Sequence, residues 1–98
     1  MASYIILMNL TDQGSRSVKD ATQLLTNARK ELEKGGGKLK DFYLTMGNVD
    51  GVAVCEGPSD EAILGFVFGL TATGFVRTTT LKAFTAKQVE EIKITHLE

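Results

Sequence analysis

Tryptophan is absent from this 98-residue chain, and cysteine, histidine and proline occur once each. One cysteine excludes an internal disulfide, so the fold must hold by packing alone. That residue, Cys55, sits in the apolar run "GVAVCE" with no His, Lys or Arg beside it to lower its pKa. Its expected role is a small buried hydrophobe, not a nucleophilic or redox thiol. The only histidine, His96, is expected to lie at the end of the native chain, and one histidine leaves no His-based metal site or catalytic triad to expect. The carboxylates are scattered without metal-ligand spacing. Gly35-Gly36-Gly37 ends a helix instead of opening one, so it is not a phosphate loop. No metal and no cofactor are expected.

An excess of one charge is lacking too. Eleven Lys and Arg against 12 Asp and Glu leave a formal net charge of −1 with no basic run, which speaks against nucleic acid as a partner. The longest apolar stretch, "AILGFVFGLTATGFV", falls short of the ~20 residues that span a bilayer. The opening "YIILMNL" is too short for a secretory segment and has no basic residues before it. The expectation is a soluble cytoplasmic protein that does not bind membranes. Leu-Glu often precedes a purification tag, so Leu97-Glu98 is set aside as a vector remnant and residues 1–96 are taken as a single domain.

What the chain does have is a hydrophobic fraction of 43% in clear periodic patterns. Tyr4–Leu10 is an almost unbroken apolar run of strand length, suited to a central strand covered on both faces. Thr11–Ser15 is a polar loop by composition. Val18, Ala21, Leu24, Leu25, Ala28 and Leu32 form one helical stripe, with Ser17 as its cap and the Gly35–Gly37 run as its stop. Lys38–Met46 alternates as an edge strand guarded by Lys38, Lys40 and Asp41, with Leu39, Asp41, Tyr43 and Thr45 on one face. Gly51–Glu56 is a further apolar strand, reached through Gly47-Asn48-Val49-Asp50. Ser59 caps a helix with two acids in its first turn, running to Thr73 and ending at Gly74. Phe75–Ala83 is a Thr-rich strand. Thr85 and Gln88 then make a capping box, with Phe84 and Val89 placed for a hydrophobic staple.

The order is β-α-β-β-α-β plus a short helix, an α+β chain. Right-handed crossovers make it the ferredoxin-like antiparallel sheet of strand order 4-1-3-2 with two helices on one face. The two central strands are the two apolar ones. Two helices cover only one face, so the other needs a cover from outside this chain, and a second copy is the simplest.

"TDQG" (11–14), "VKD" (18–20), "GGKLKDFYLTMG" (36–47), Asp50, "VAV" (52–54) and "VRTTTLKAFT" (76–85) together resemble the GYD domain family over nearly the whole chain. The resemblance implies a dimeric α/β barrel, in which two ferredoxin-like subunits close their sheets into one. In the Gly-Tyr-Asp signature the outer places are held by Gly47 and Asp50, but the tyrosine place is Val49, so no role of that hydroxyl carries over. The hairpin, the helix after it and the Thr-rich strand also resemble the ligand-sensing domain of leucine-responsive regulators. The chain has no helix-turn-helix beside it.

Five residues are candidates for holding a ligand: Asp12, Arg16, Tyr43, Asp50 and Arg77. Each has a plain alternative. Asp50 can bond nearby backbone in a common hairpin connection. Asp12 and Arg16 can belong to a plain strand-to-helix connection, or, as binding residues with Lys19, lie at the rim of a cleft between helix and sheet. Tyr43 can be a barrel-facing core residue, and Arg77 can pair with Asp50 or Glu56 across subunits or hold a ligand carboxylate. Gly65-Phe66-Val67-Phe68-Gly69 spells G-x-x-x-G in an apolar helix, a groove for close packing of the first helix or another subunit, or else a cavity lined by Phe66 and Phe68. The leading functional expectation is a homodimer or higher homo-oligomer that binds a small polar or amphipathic metabolite. The alternatives are a cofactor-free monooxygenase or isomerase using Tyr43, Asp12 and Arg77 around an apolar cleft, and an assembly unit without a ligand.

Overall fold

β1 (Ala2–Leu10) leads through a short α1 (Asp12–Arg16) into the long α2 (Val18–Lys34). β2 (Lys38–Leu44), β3 (Gly51–Gly57), α3 (Asp60–Ala72), β4 (Val76–Ala83) and α4 (Ala86–Glu91) follow. The computed structural model describes residues 1–97; Glu98 and the side chain of Ala21, both named above, lie outside the described residues. The strands form one antiparallel sheet in the order β2-β3-β1-β4, the 4-1-3-2 order of the ferredoxin-like fold.

Register explains which residues are inside. Tyr4 stands opposite Cys55 and Lys82, and Ile6 opposite Ala53 and Thr80. Successive side chains alternate across a strand, so Tyr4, Ile6, Ala53 and Cys55 share one face and Ile5, Leu7, Val52 and Val54 the other. The first set packs under Leu32 of α2 and Ile63 and Val67 of α3. Ile6 and Cys55 are fully buried there, and burial pushes the Cys55 thiol pKa up, as expected for a packing residue. The second set has no helix above it and is only half-buried.

Four local readings change. The segment taken as a polar loop contains α1, because the Thr11 hydroxyl accepts the Gly14 N–H and donates to the Gly74 carbonyl. Gly14 is buried there, and a Cβ at that position would collide with the Phe75 carbonyl oxygen. Ser17 makes no side-chain capping bond to α2, which continues directly from α1. In β2 a register shift between Leu39 and Asp41 breaks the alternation. Leu39 and Phe42 therefore face the helices, while Asp41 and Tyr43 face the open side. Finally, Gly65 and Gly69 have nothing within 4 Å of an added Cβ, so of the two packing partners expected for the G-x-x-x-G groove α2 is not one within the protomer. They line an open groove of about 520 Å³ between α2 and α3. The Ser59 cap and the Thr85–Gln88 capping box form as expected.

Candidate functional site

The Gly47–Gly51 connection is tied to the end of β1 through Asp50. Its backbone N–H donates to the Met8 carbonyl at 3.0 Å and to Asn9 Oδ1 at 3.1 Å, and its Oδ2 accepts the Leu10 N–H at 2.9 Å. The β1–β3 ladder ends at Met8 and Gly51, so the Asp50 carboxylate serves the next strand donor that β3 no longer reaches. On the hairpin's other side the Thr45 N–H donates to the Asp50 carbonyl at 3.0 Å, and the Thr45 hydroxyl donates to the Val49 carbonyl. Asp50 is first a sheet-terminating residue. Asp50 also lines the space beneath α2.

The other candidates gather at the same end of the sheet, and among the described residues no side-chain hydrogen bond or ion pair joins them to one another. Asp12 and Arg16 are exposed on α1, just past β1. Arg77 lies opposite Asn9 and is exposed on the open face. Tyr43 lies opposite Val52 on that same face and is 55% exposed. Among the described residues the ion pairs are Lys34–Glu31 at 3.2 Å and Lys82–Asp60 at 3.0 Å, and neither involves a candidate.

A cavity of about 210 Å³ lies on the covered side, between α2 and the sheet, walled by Ile6, Met8, Leu25, Phe42, Phe66 and Leu70. Thr22, Arg29 and Asp50 are the polar residues on its lining. It is apolar and large enough for an organic body; an engineered apolar cavity of ~150 Å³ accepts benzene. Tyr43, Asp12, Arg16 and Arg77 are not on its lining, so this cavity is not the cleft around which Tyr43, Asp12 and Arg77 are expected to gather. Phe66 lines the cavity, whereas Phe68 points outward and is 63% exposed.

The opposite end of the sheet holds a polar cluster that sequence reading missed. The Tyr4 hydroxyl donates to Asp60 Oδ1, and Lys82 Nζ lies 3.0 Å from the same carboxylate. The hydrogen bond to the Asp60 carboxylate pushes the Tyr4 pKa up to about 12. The same bond from Tyr4, followed by that from Lys82, holds the Asp60 carboxyl below its usual range. Its members are far apart in sequence, and no local pattern joins them. Only the register that sets Tyr4 beside Lys82 could have pointed to it.

A GYD domain profile matches residues 4–92. A protein of Thermus thermophilus, named glutamine synthetase and cystathionine beta-lyase binding protein, is 29% identical over 84 residues, covering 85% of this chain and 88% of its own. Among solved structures, MtbAldR superposes with a TM-score of 0.64 at 17% identity, over 99% of this chain and 54% of its own. This chain thus spans about half of that protein's length. FFRP-DM1 superposes with a TM-score of 0.60 at 20% identity, over 86% of this chain and 100% of its own. Both structural likenesses are likenesses of fold.

Proposed function

The chain belongs to the GYD domain family, and from that premise we propose that it is a homo-oligomeric, cytoplasmic binding module for a small amphipathic molecule. One observation carries the proposal: the sheet has a second apolar face that its own helices do not cover. Ile5, Leu7, Val52 and Val54 are half-buried there, beside exposed Tyr43 and Leu81. Contiguous exposed apolar surface of this kind marks an interaction site. A second copy, placing the same face against it, closes the two sheets into the dimeric α/β barrel that the resemblance implies. The Thermus relative is named for binding two enzymes, which supports binding over catalysis as the role of this chain as well.

The ligand belongs in the cavity beneath α2. Its apolar walls take a single ring or short aliphatic body, and Asp50 and Arg29 offer a charge of either sign to a polar end. Asp12, Arg16, Tyr43 and Arg77 sit outside the cavity, so any part they play is at its rim or across the subunit contact. Sedimentation equilibrium tests the assembly: a dimer at micromolar concentration is expected, and Leu7→Glu should dissociate it. A wild-type protein that stays monomeric overturns the reading. For the ligand, a thermal-shift screen of aromatic acids, amino acids and quinones should raise the melting temperature. Binding at a hundredfold excess over Kd stabilises by about 2.7 kcal/mol. A dimer indifferent to every compound would leave the assembly-unit alternative in its place.

A further inference from the structure

The chain has more surface than its mass requires. Its accessible area is 7015 Å², whereas a compact monomer of this mass, 10.6 kDa, exposes roughly 5,500 Å². The radius of gyration is 15.1 Å, against about 13 Å for a compact domain of ~100 residues. The principal extents are 54 × 31 × 19 Å. A nine-residue strand such as β1 is about 30 Å long, and one sheet under one helix layer is about 20 Å thick. The body therefore accounts for the two shorter extents, and the longest exceeds what strand length alone gives, which points to chain that projects beyond it.

That chain is the segment after β4. Among the described residues α4 makes no substantial packing contact with any other element, and it has no buried residue. Phe84, Val89, Ile92 and Ile94 are between 49% and 72% exposed. Yet the segment is locally well specified. Both bonds of the Thr85–Gln88 capping box are made, Val89 lies within α4, and Ile92 is its C-cap with extended backbone. A six-residue helix is too short to be stable by its own hydrogen bonds and takes its stability from an apolar face packed against something. No described element of the protomer supplies that surface.

We propose that residues 84–96 form an exchanged arm, which leaves its own body and packs on a second copy of the chain. The proposal rests on the reading of the open sheet face as a homo-oligomer contact and extends it. The area selects a second copy. A standard interface buries ~800 Å² per partner, and obligate dimers bury about 1,000–2,500 Å² per chain. The excess surface of roughly 1,500 Å² over a compact monomer is more than one standard sheet-face contact uses and falls in the obligate range. The arm adds a stripe of apolar side chains to the contact made by Ile5, Leu7, Val52 and Val54, and it latches the two bodies.

Lys87 and Lys93 place two tryptic sites inside the arm, so protection can be read directly. Limited trypsin digestion of the full chain, from dilute to concentrated protein, should show cleavage at both sites slowing as the dimer forms. Ile92→Glu and Val89→Glu, which alter side chains the protomer does not bury, should raise the dimer dissociation constant on the order of tenfold each, the effect of losing one well-packed interface side chain. A chain truncated after Ala83 should lose the dimer further. If the truncated form does not fold, the two point variants carry the test. A wild-type protein that dimerises while Lys87 and Lys93 are cut at a concentration-independent rate, with both variants dimerising normally, overturns the arm and leaves the sheet-face reading standing. A wild-type protein that never dimerises overturns both.

Discussion

The two faces of the sheet are built from the same strands, and nearly the same residue types, yet they have opposite fates. On β3, Ala53 and Cys55 are buried beneath α2 and α3, while Val52 and Val54 alternate with them and stay half-open. On β1, Ile6 is 1% exposed, and its neighbours Ile5 and Leu7 have no helix over them. Strand chemistry alone does not decide burial here. What decides it is which face the two crossover helices take, and right-handed crossovers put both on the same side. The apolar open face then records a requirement for cover that the protomer does not meet.

Substituting adjacent residues of β1 separates the two faces most sharply. Ile6→Ala removes a fully buried side chain beside an existing cavity and should cost about 2–5 kcal/mol of unfolding free energy at any protein concentration. Leu7→Ala, one residue along, should lower the melting temperature mainly at concentrations where the wild type is dimeric. Thermal denaturation of both variants over a hundredfold range of concentration reads the difference. Equal and concentration-independent losses at the two positions would mean that the open face is not an interface.

Asp50 closes one end of both faces, and its truncation has a smaller expected effect. Asp50→Ala removes the charge-assisted acceptor of the Leu10 N–H and should cost about 1.5–3 kcal/mol. Asp50→Asn keeps an acceptor oxygen and should recover part of the loss. Hydrogen exchange at the Leu10 amide is the direct readout. If Asp50→Ala leaves that amide as protected as before while ligand-induced thermal shifts vanish, Asp50 is a binding residue before it is a structural one.

Strand order was legible in the sequence because it rests on strong, local signals: two apolar runs for the central strands, Ser59 and Thr85 at helix starts, and glycines after helix ends. The features that escaped are those made by distant residues. α1 exists because Thr11 binds Gly74 across the fold and Gly14 lets the Phe75 carbonyl come close. The face of Leu39 was misread because a bulge in β2 cannot be counted from alternation alone. That the candidate residues gather at one end of the sheet could be read ahead, since strand ends follow from strand boundaries. Their separation from the cavity was not legible, because it depends on how far α2 stands off the sheet. G-x-x-x-G pointed to close packing, but small residues permit an approach without enforcing one, and in the protomer the groove stays open.

The covered face is sealed at its other end by Tyr4, Asp60 and Lys82, and here the expected effect is the smallest and depends on pH. Asp60 has its folded-state pKa lowered, so its contribution is fully present above the ordinary carboxylate value of ~3.9 and fades as pH falls through the lowered value. Tyr4 has its pKa raised, so the neutral hydroxyl stabilises fully below ~10. That stabilisation disappears as pH rises through about 12. Between these limits the bond needs a charged carboxylate and a neutral phenol, and both are available. Tyr4→Phe should therefore lower the melting temperature by a constant amount from about pH 5 to 9, with the gap narrowing below about pH 4 and above about pH 10. Leu7→Ala, on the open face at mid-sheet, should show no such narrowing. A Tyr4→Phe gap that held its full size at about pH 2 would assign the loss to packing under α3, and the polar seal would then have no part in holding the covered face closed.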